Sequence, residues 1–349
     1  MQLNHWLYLY PKLTISGQFK SKVEDFQVTE QLGYNPIGEG EHIYLWVRKK
    51  GLNTAYLAEQ IAKFTQLPLR AVTYAGRKDK HAQTEQWFSV HLPGKGEFDW
   101  TQFNQPGAEI LKSIRHNKKL RTGVLKGNQF NITLRQLTST TGIDARLQQI
   151  KQQGVPNYYG PQRFGSTLHD PRGGNLVLAE KMINGETIRN RNKRSMAISA
   201  LRSWLFNEML HSRLKNGCLN KALPGDVMQL AGSHSFFCAE QLDEATLSRI
   251  QQQDIYLTAP LWGCGQLASQ SEALQFEQGL AQLHPAVTKT LEELGLKQER
   301  RATNLFPKDL KWSLQQNVLN LSFSLPTGTF ATSVLRELLD LQDDSHSES

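Results

Sequence analysis

The sequence predicts an α+β fold: a domain with a sizeable mixed sheet, interrupted by a second, mainly helical domain. Strand-like and helix-like periodicities alternate through the first half of the chain. Near residue 154 a stretch dense in Gly and Pro leads into a succession of helical patterns. Strand patterning returns only at about residue 310, so both ends of the chain feed the first domain.

The segments VEDFQVTE (23–30) and EHIYLWVRKK (41–50) alternate apolar and polar residues as half-buried strands do, and LGYNPIGEGE supplies the turn between them. After an Asn53 cap, NTAYLAEQIAKF (53–64) sets Leu57, Ile61 and Phe64 on one helical face. LRAVTYA, EQWFSVHL, FNITLRQL and the late VLNLSFSLP read as further strands, the last with Leu319, Leu321, Phe323 and Leu325 on one side. Thr141 with Asp144 suits a capping box for a helix that carries Ile143, Leu147 and Ile150 and ends at Gly154. A long helix is expected from about 194 to 216, with shorter ones near 243–252, 272–283 and 286–294. The acidic, Ser-rich residues 341–349 are expected to form a disordered tail.

With 349 residues, of which 39% are hydrophobic, the chain suffices for about two folded domains. The start, MQLNHWLYLYPKL, lacks a basic leader, and no stretch reaches the about 18 apolar residues of a membrane span, so a cytoplasmic protein without membrane contact is expected. Cys218, Cys238 and Cys264 are far apart and lack partners at metal-ligand spacing, which argues against a zinc site and reads as buried thiols. The formal charge of +8 is concentrated. KSIRHNKKLRTGVLK (112–126) carries Lys112, Arg115, Lys118, Lys119, Arg121 and Lys126 without one acid, and IRNRNKR adds Arg189, Arg191, Lys193 and Arg194. Clusters of this kind fit phosphate neutralisation, a solvated basic face being the plainer alternative.

AGRKDKHAQTEQWFSV (75–90) sets the carboxylate of Asp79 among Arg77, Lys78, Lys80 and His81. Cations within about 4–6 Å favour the ionised form, which suits a nucleophile or base and excludes a general acid. A surface turn with local salt bridges is the alternative. Phe26 in EDFQVTE, and Asn128 and Phe130 in KGNQFNI beside the first basic cluster, offer what a splayed-out base needs: a ring to stack on and an amide for its edge. Phe130 equally fits a core position, and Phe330 in PTGTFATSVLRELL either covers the helix that follows or reaches a pocket.

GRKDKHAQTEQ (76–86), KGNQF (126–130), GVPNYYGPQRFG (154–165), RNRNKRS (189–195) and PTGTFATSVLREL (326–338) together resemble the tRNA pseudouridine synthase D (TruD) family, in the right order and from about Lys20 to Leu338. The resemblance implies a stand-alone, cofactor-free and metal-free isomerase that converts a uridine of tRNA, uridine-13 of the D-arm, to pseudouridine. By the same likeness Asp79 is the catalytic aspartate, Phe26, Asn128 and Phe330 bind substrate, Lys20 is the basic partner of the carboxylate and Phe130 supports the pocket. The implied fold is a pseudouridine synthase-like catalytic domain with a mixed, mainly antiparallel sheet flanked by helices, built from residues 1–153 and 305–340, with a mainly helical TRUD domain inserted at 154–304. A monomer that needs no protein partner is expected.

The chemistry requires leaving the RNA stack, breaking the N1–C1′ bond and confining the loose uracil against water. NYYGPQRFG, with Tyr158, Tyr159, Arg163 and Phe164, is expected to extend the RNA surface, packing between domains being the alternative. A non-catalytic tRNA-binding protein accounts for the charge and the aromatics as well. A metal-dependent nuclease would show clustered Asp, Glu or His ligands, which the sequence does not.

Overall fold

The computed structural model describes residues 1–3, 5–166, 172–233 and 235–343. The described residues divide into two compact units: one of Leu13–Lys151, Pro307–Ala331 and residues 338–343, the other of Met1–Lys12, Gln152–Phe306 and Thr332–Glu337. Residues 1–12, placed in the catalytic portion by the sequence reading, group here with the second unit.

The first unit opens with β1 (Ser16–Phe19), β2 (Phe26–Leu32), β3 (His42–Lys50), α1 (Thr54–Thr65), β4 (Val72–Tyr74), β5 (Gln83–His91), β6 (Ala108–His116), β7 (Leu125–Arg135) and α2 (Ile143–Gln153). In the second unit follow β8 (Val155–Pro156), α3 (Pro161–Phe164), α4 (Gly174–Ile183), α5 (Arg191–Lys215), β9 (Asp226–Leu230), β10 (Phe236–Ala239), α6 (Glu244–Gln251) and β11 (Ile255–Leu261). α7 (Ser271–Leu283), α8 (Pro285–Glu293), β12 (Glu299–Ala302) and β13 (Asn304–Leu305) complete its run. The chain ends with β14 (Lys308–Gln315), β15 (Val318–Pro326), α9 (Ala331–Arg336) and β16 (Asp340–Asp343).

The first unit holds a ten-stranded sheet ordered β14-β15-β7-β2-β5-β3-β6, with β1 beside β7, β16 beside β1 and β4 beside β5. β2–β5 and β1–β16 run parallel and the other pairs antiparallel. Alternation assigns the two faces. Ile43, Leu45 and Val47 of β3 and Phe88 and Val90 of β5 pack with Leu57 and Ile61 of α1. On the same face Phe26 and Val28, Phe130, Ile132 and Leu134, and Leu319, Leu321, Phe323 and Leu325 are buried in adjacent strands. The opposite face is polar there, with Gln129 Nε2 bonded to Ser322 Oγ at 3.0 Å and Thr133 Oγ1 to Asn320 Oδ1 at 2.9 Å.

The expected tail needs correction: Leu341, Gln342 and Asp343 belong to β16, which pairs with β1, and residues 344–349 lie outside the described residues. The second unit is mainly helical but also contains a four-stranded antiparallel sheet, β10-β9-β11-β12, absent from the sequence reading. Its long helix α5 starts earlier than expected because Asn190 Oδ1 accepts the Lys193 N–H at 3.0 Å, an N-cap that places RNKR in the first turn. The ring positions Tyr158, Tyr159 and Phe164, expected on the RNA surface, are buried within this unit, with Trp6 stacked on Tyr158 at 5.8 Å and tilted against Phe164 at 5.6 Å between ring centres. Of the three thiols only Cys218 is buried, while Cys238 is half-buried and Cys264 exposed.

Candidate active site

β1 is followed by Lys20, whose backbone turns left-handed (φ 61°) and whose side chain is buried. Its Nζ donates to Asp79 Oδ2 at 2.5 Å and stands 4.8 Å from the Phe26 ring centre and 5.1 Å from that of Phe19. Asp79 lies on the loop between β4 and β5. Its Oδ1 accepts the His81 N–H at 3.0 Å, an Asx turn that fixes the carboxylate on its own backbone. Burial opposes the charge on Asp79, but the Lys20 ammonium with its hydrogen bond, the His81 N–H and the His81 side chain outweigh it and hold the carboxyl below its ordinary range.

The ammonium that contributes most to holding the Asp79 charge, Lys20, is distant in sequence, and of the adjacent basic residues His81 contributes as well. Arg77 and Lys80 are exposed, and Lys78 turns away to pair with Glu30 Oε1. Glu30 takes a second bond, from the Trp87 N–H at 2.9 Å; burial pushes its carboxyl up, while Lys78 and that N–H pull it down. Lys49, fully buried on β3, donates from Nζ to the main-chain carbonyl oxygens of Asp79 and Leu52, each at 2.8 Å. Thr54 Oγ1 accepts the Lys78 N–H at 3.0 Å and donates to Gln86 Oε1 at 3.0 Å.

Glu30, Lys49 and Gln86 escaped the sequence reading, although a signal was present. Each occupies the buried phase of its strand: Phe26-Val28-Glu30, Ile43-Leu45-Val47-Lys49 and Thr84-Gln86-Phe88. A charged or amide group in that phase is costly unless bonded, so it marks a buried polar network.

Asn128 on β7 faces Glu30 on β2 across one side and Leu325 on β15 across the other. Its Oδ1 is buried and, among the described residues, has no hydrogen-bond partner. Gly127 just before it allows a close approach: a Cβ there would collide with the Leu325 carbonyl oxygen. Phe130 sits between Phe26 (6.1 Å) and Phe323 (5.6 Å) in a line of rings and is buried, so its position is that of a core residue beneath the site. Phe330 is half-buried on the segment after β15, whose turn is closed by Thr329 Oγ1 donating to the Pro326 carbonyl at 2.8 Å. Lys20, Asp79, Phe26 and Phe130 are thus linked by direct contact, Asn128 by register, and Phe330 by the backbone leaving the Leu325–Asn128 pair.

In the first basic cluster Lys112, Lys118, Lys119, Arg121 and Lys126 are exposed. Arg115 differs, donating from Nη1 to the carbonyls of Gly40 and Gly94 at 2.8 and 3.1 Å and from Nη2 to that of Gly96, so it fastens loops instead. Arg189, Arg191, Lys193 and Arg194 are all exposed. Arg163 bonds Ser199 Oγ at 2.8 Å and lies 5.0 Å from the Tyr159 ring centre.

Asp79 is thus an ion-paired carboxylate on a loop of the sheet, linked through Lys20 to a line of buried rings. The chain matches the family model tRNA pseudouridine synthase D (TruD) over residues 2–187 and 186–338. It is 61% identical over 342 residues to tRNA pseudouridine synthase D of Pseudoalteromonas atlantica, covering 98% of each chain. It is 47% identical to that of Aeromonas salmonicida, covering 97% of this chain and 95% of the other. A crystal structure from Methanosarcina mazei assigned to the same family superposes with a TM-score of 0.72 at 21% identity over 95% of both chains, a likeness of fold. The chain belongs to the tRNA pseudouridine synthase D (TruD) family.

Proposed function

We propose that this protein isomerises a uridine of tRNA to pseudouridine, with uridine-13 of the D-arm as target and Asp79 as the reactive carboxylate. The observation that carries this reading is the Lys20–Asp79 pair, a charged carboxylate fixed by a buried ammonium and a backbone N–H in a chain of this family. The reaction breaks the bond from base N1 to ribose C1′, turns the uracil, and joins C5 to the same carbon. C5 gives up a proton and N1 gains one, so nothing is consumed.

An anionic oxygen serves on either of two routes: attack on C1′ to give a glycosyl ester, or removal of the C2′ proton to give a glycal. Both need the ionised form, which the depressed Asp79 pKa supplies at neutral pH. The Asn128 Oδ1, without a hydrogen-bond partner among the described residues, suits an N–H of the base. Phe26 and Phe130 provide an apolar floor that excludes water, and half-buried Phe330 is suited to cover the extruded nucleoside.

The exposed basic residues of both units suit phosphates. Those in the first turn of α5 stand where the helix dipole disfavours cations, by about 0.3–1 kcal/mol each, so helix stability does not explain them. No helix among the described residues is long and apolar enough to cross a membrane. The working form in this reading is a cytoplasmic monomer without cofactor. The test is purified protein with an unmodified tRNA transcript, without added metal or cofactor, followed by carbodiimide mapping. A pseudouridine stop at position 13 is expected; tight binding with no product would leave a tRNA-binding protein as the better reading.

A further inference from the structure

We infer that Lys49 is a positioning residue for the reaction, holding Asp79 in place through its main-chain carbonyl and not through its carboxylate. The inference rests on the reading of Asp79 as the reactive group. Lys49 sits on β3 in the phase of Ile43, Leu45 and Val47 and is fully buried. An unpaired ammonium there is expensive, and an apolar side chain would fit the pattern better. Its Nζ spans two carbonyls at 2.8 Å, that of Leu52 at the entrance to α1 and that of Asp79 itself. The loop is therefore fastened to a rigid strand and to the start of a helix at the reactive residue, where a displacement of its carboxylate is felt most.

Two further bonds hold the preceding residue: Lys78 pairs with Glu30, and the Lys78 N–H reaches Thr54 Oγ1. The charged groups that face Lys49 are Asp79, Lys78 and Glu30, and the last two already satisfy each other. Burial outweighs the attraction of Asp79 and lowers the Lys49 ammonium to about 8. Above that pH the charge-assisted bonds to both carbonyls weaken.

The test is the single-turnover rate of pseudouridine formation for wild type, Lys49→Met and Asp79→Asn, with tRNA affinity and thermal midpoint measured in parallel. Lys49→Met is expected to lower the rate by roughly 10²-fold, the loss that a misplacement of about 1 Å brings, with tRNA affinity changed less than about twofold. The wild-type rate should also fall as pH rises through about 8, and this alkaline limb should be missing from Lys49→Met. A wild-type rate in Lys49→Met beside an inactive Asp79→Asn overturns the positioning role alone. A wild-type rate in Asp79→Asn overturns the functional reading beneath it. A loss in Lys49→Met confined to tRNA affinity places Lys49 in binding and also overturns the inference. Should Lys49→Met not fold, Lys49→Gln, which keeps a donor without the charge, is measured in the same way: a rate and an alkaline limb unchanged from wild type end the role, and a slower rate without that limb upholds it.

Discussion

Lys20 and Asp79 are 59 positions apart in the chain, and their side chains meet at 2.5 Å. One leaves β1 in a left-handed conformation and the other rests on an Asx turn, so the backbone prepares the contact from both sides. Lys20→Met keeps an unbranched side chain of nearly the same length and removes the charge. Burial of Asp79 is then opposed mainly by His81, and its pKa rises. In the proposed reading turnover needs the anion and is lost as pH falls through the folded-state pKa, so the acid limb of the pH–rate profile should move upward in this variant. An unshifted limb would mean that Lys20 does not govern the charge of Asp79.

Asn128→Ala removes a buried oxygen that makes no hydrogen bond among the described residues. The thermal midpoint should therefore hold or rise slightly, while kcat/KM falls roughly tenfold, the worth of one good hydrogen bond. Loss of stability with kcat/KM intact would reverse that assignment.

Replacing Lys193 and Arg194 together by Ala should weaken tRNA binding and flatten its salt dependence, by about one unit of logarithmic slope per lost phosphate contact. Binding measured across a salt series decides this, and an unaltered slope would put the first turn of α5 off the RNA.

Arg213 on α5 and Asp226 on β9 form an ion pair with neither side chain exposed. Arg213 also donates to the Cys218 carbonyl at 3.3 Å. Arg213→Met strands a buried carboxylate and should cost about 3–5 kcal/mol by denaturant unfolding, a loss that a second change, Asp226→Leu, should partly recover. Equal stability of Arg213→Met and wild type would contradict this.

What could be read from the sequence was local. β15 was legible because four apolar residues alternate without interruption from Leu319 to Leu325, and α1 because its apolar residues keep helical spacing. The sheet of the second unit was hidden for the opposite reason. β10 is four residues long, and β12, Glu299–Ala302, shows no apolar period because its Arg300 is buried against Glu277 at 2.8 Å instead of against hydrocarbon. Tyr158 and Phe164 misled because a Gly-bounded loop reads as surface, whereas the ring that covers them, Trp6, lies about 150 residues earlier in the chain. In the site the same limit applied. Asp79 was conspicuous among its neighbours, yet Lys20, Lys49 and Glu30 reach its loop only through sheet pairing.

The most direct measurement is the time course of pseudouridine formation by Asp79→Asn on an unmodified tRNA transcript, alongside its tRNA affinity. The substitution removes the anionic oxygen and leaves every exposed basic residue in place, so binding within about twofold of wild type and a product yield near zero are expected. Pseudouridine forming at the wild-type rate would show that the chemistry does not depend on this carboxylate.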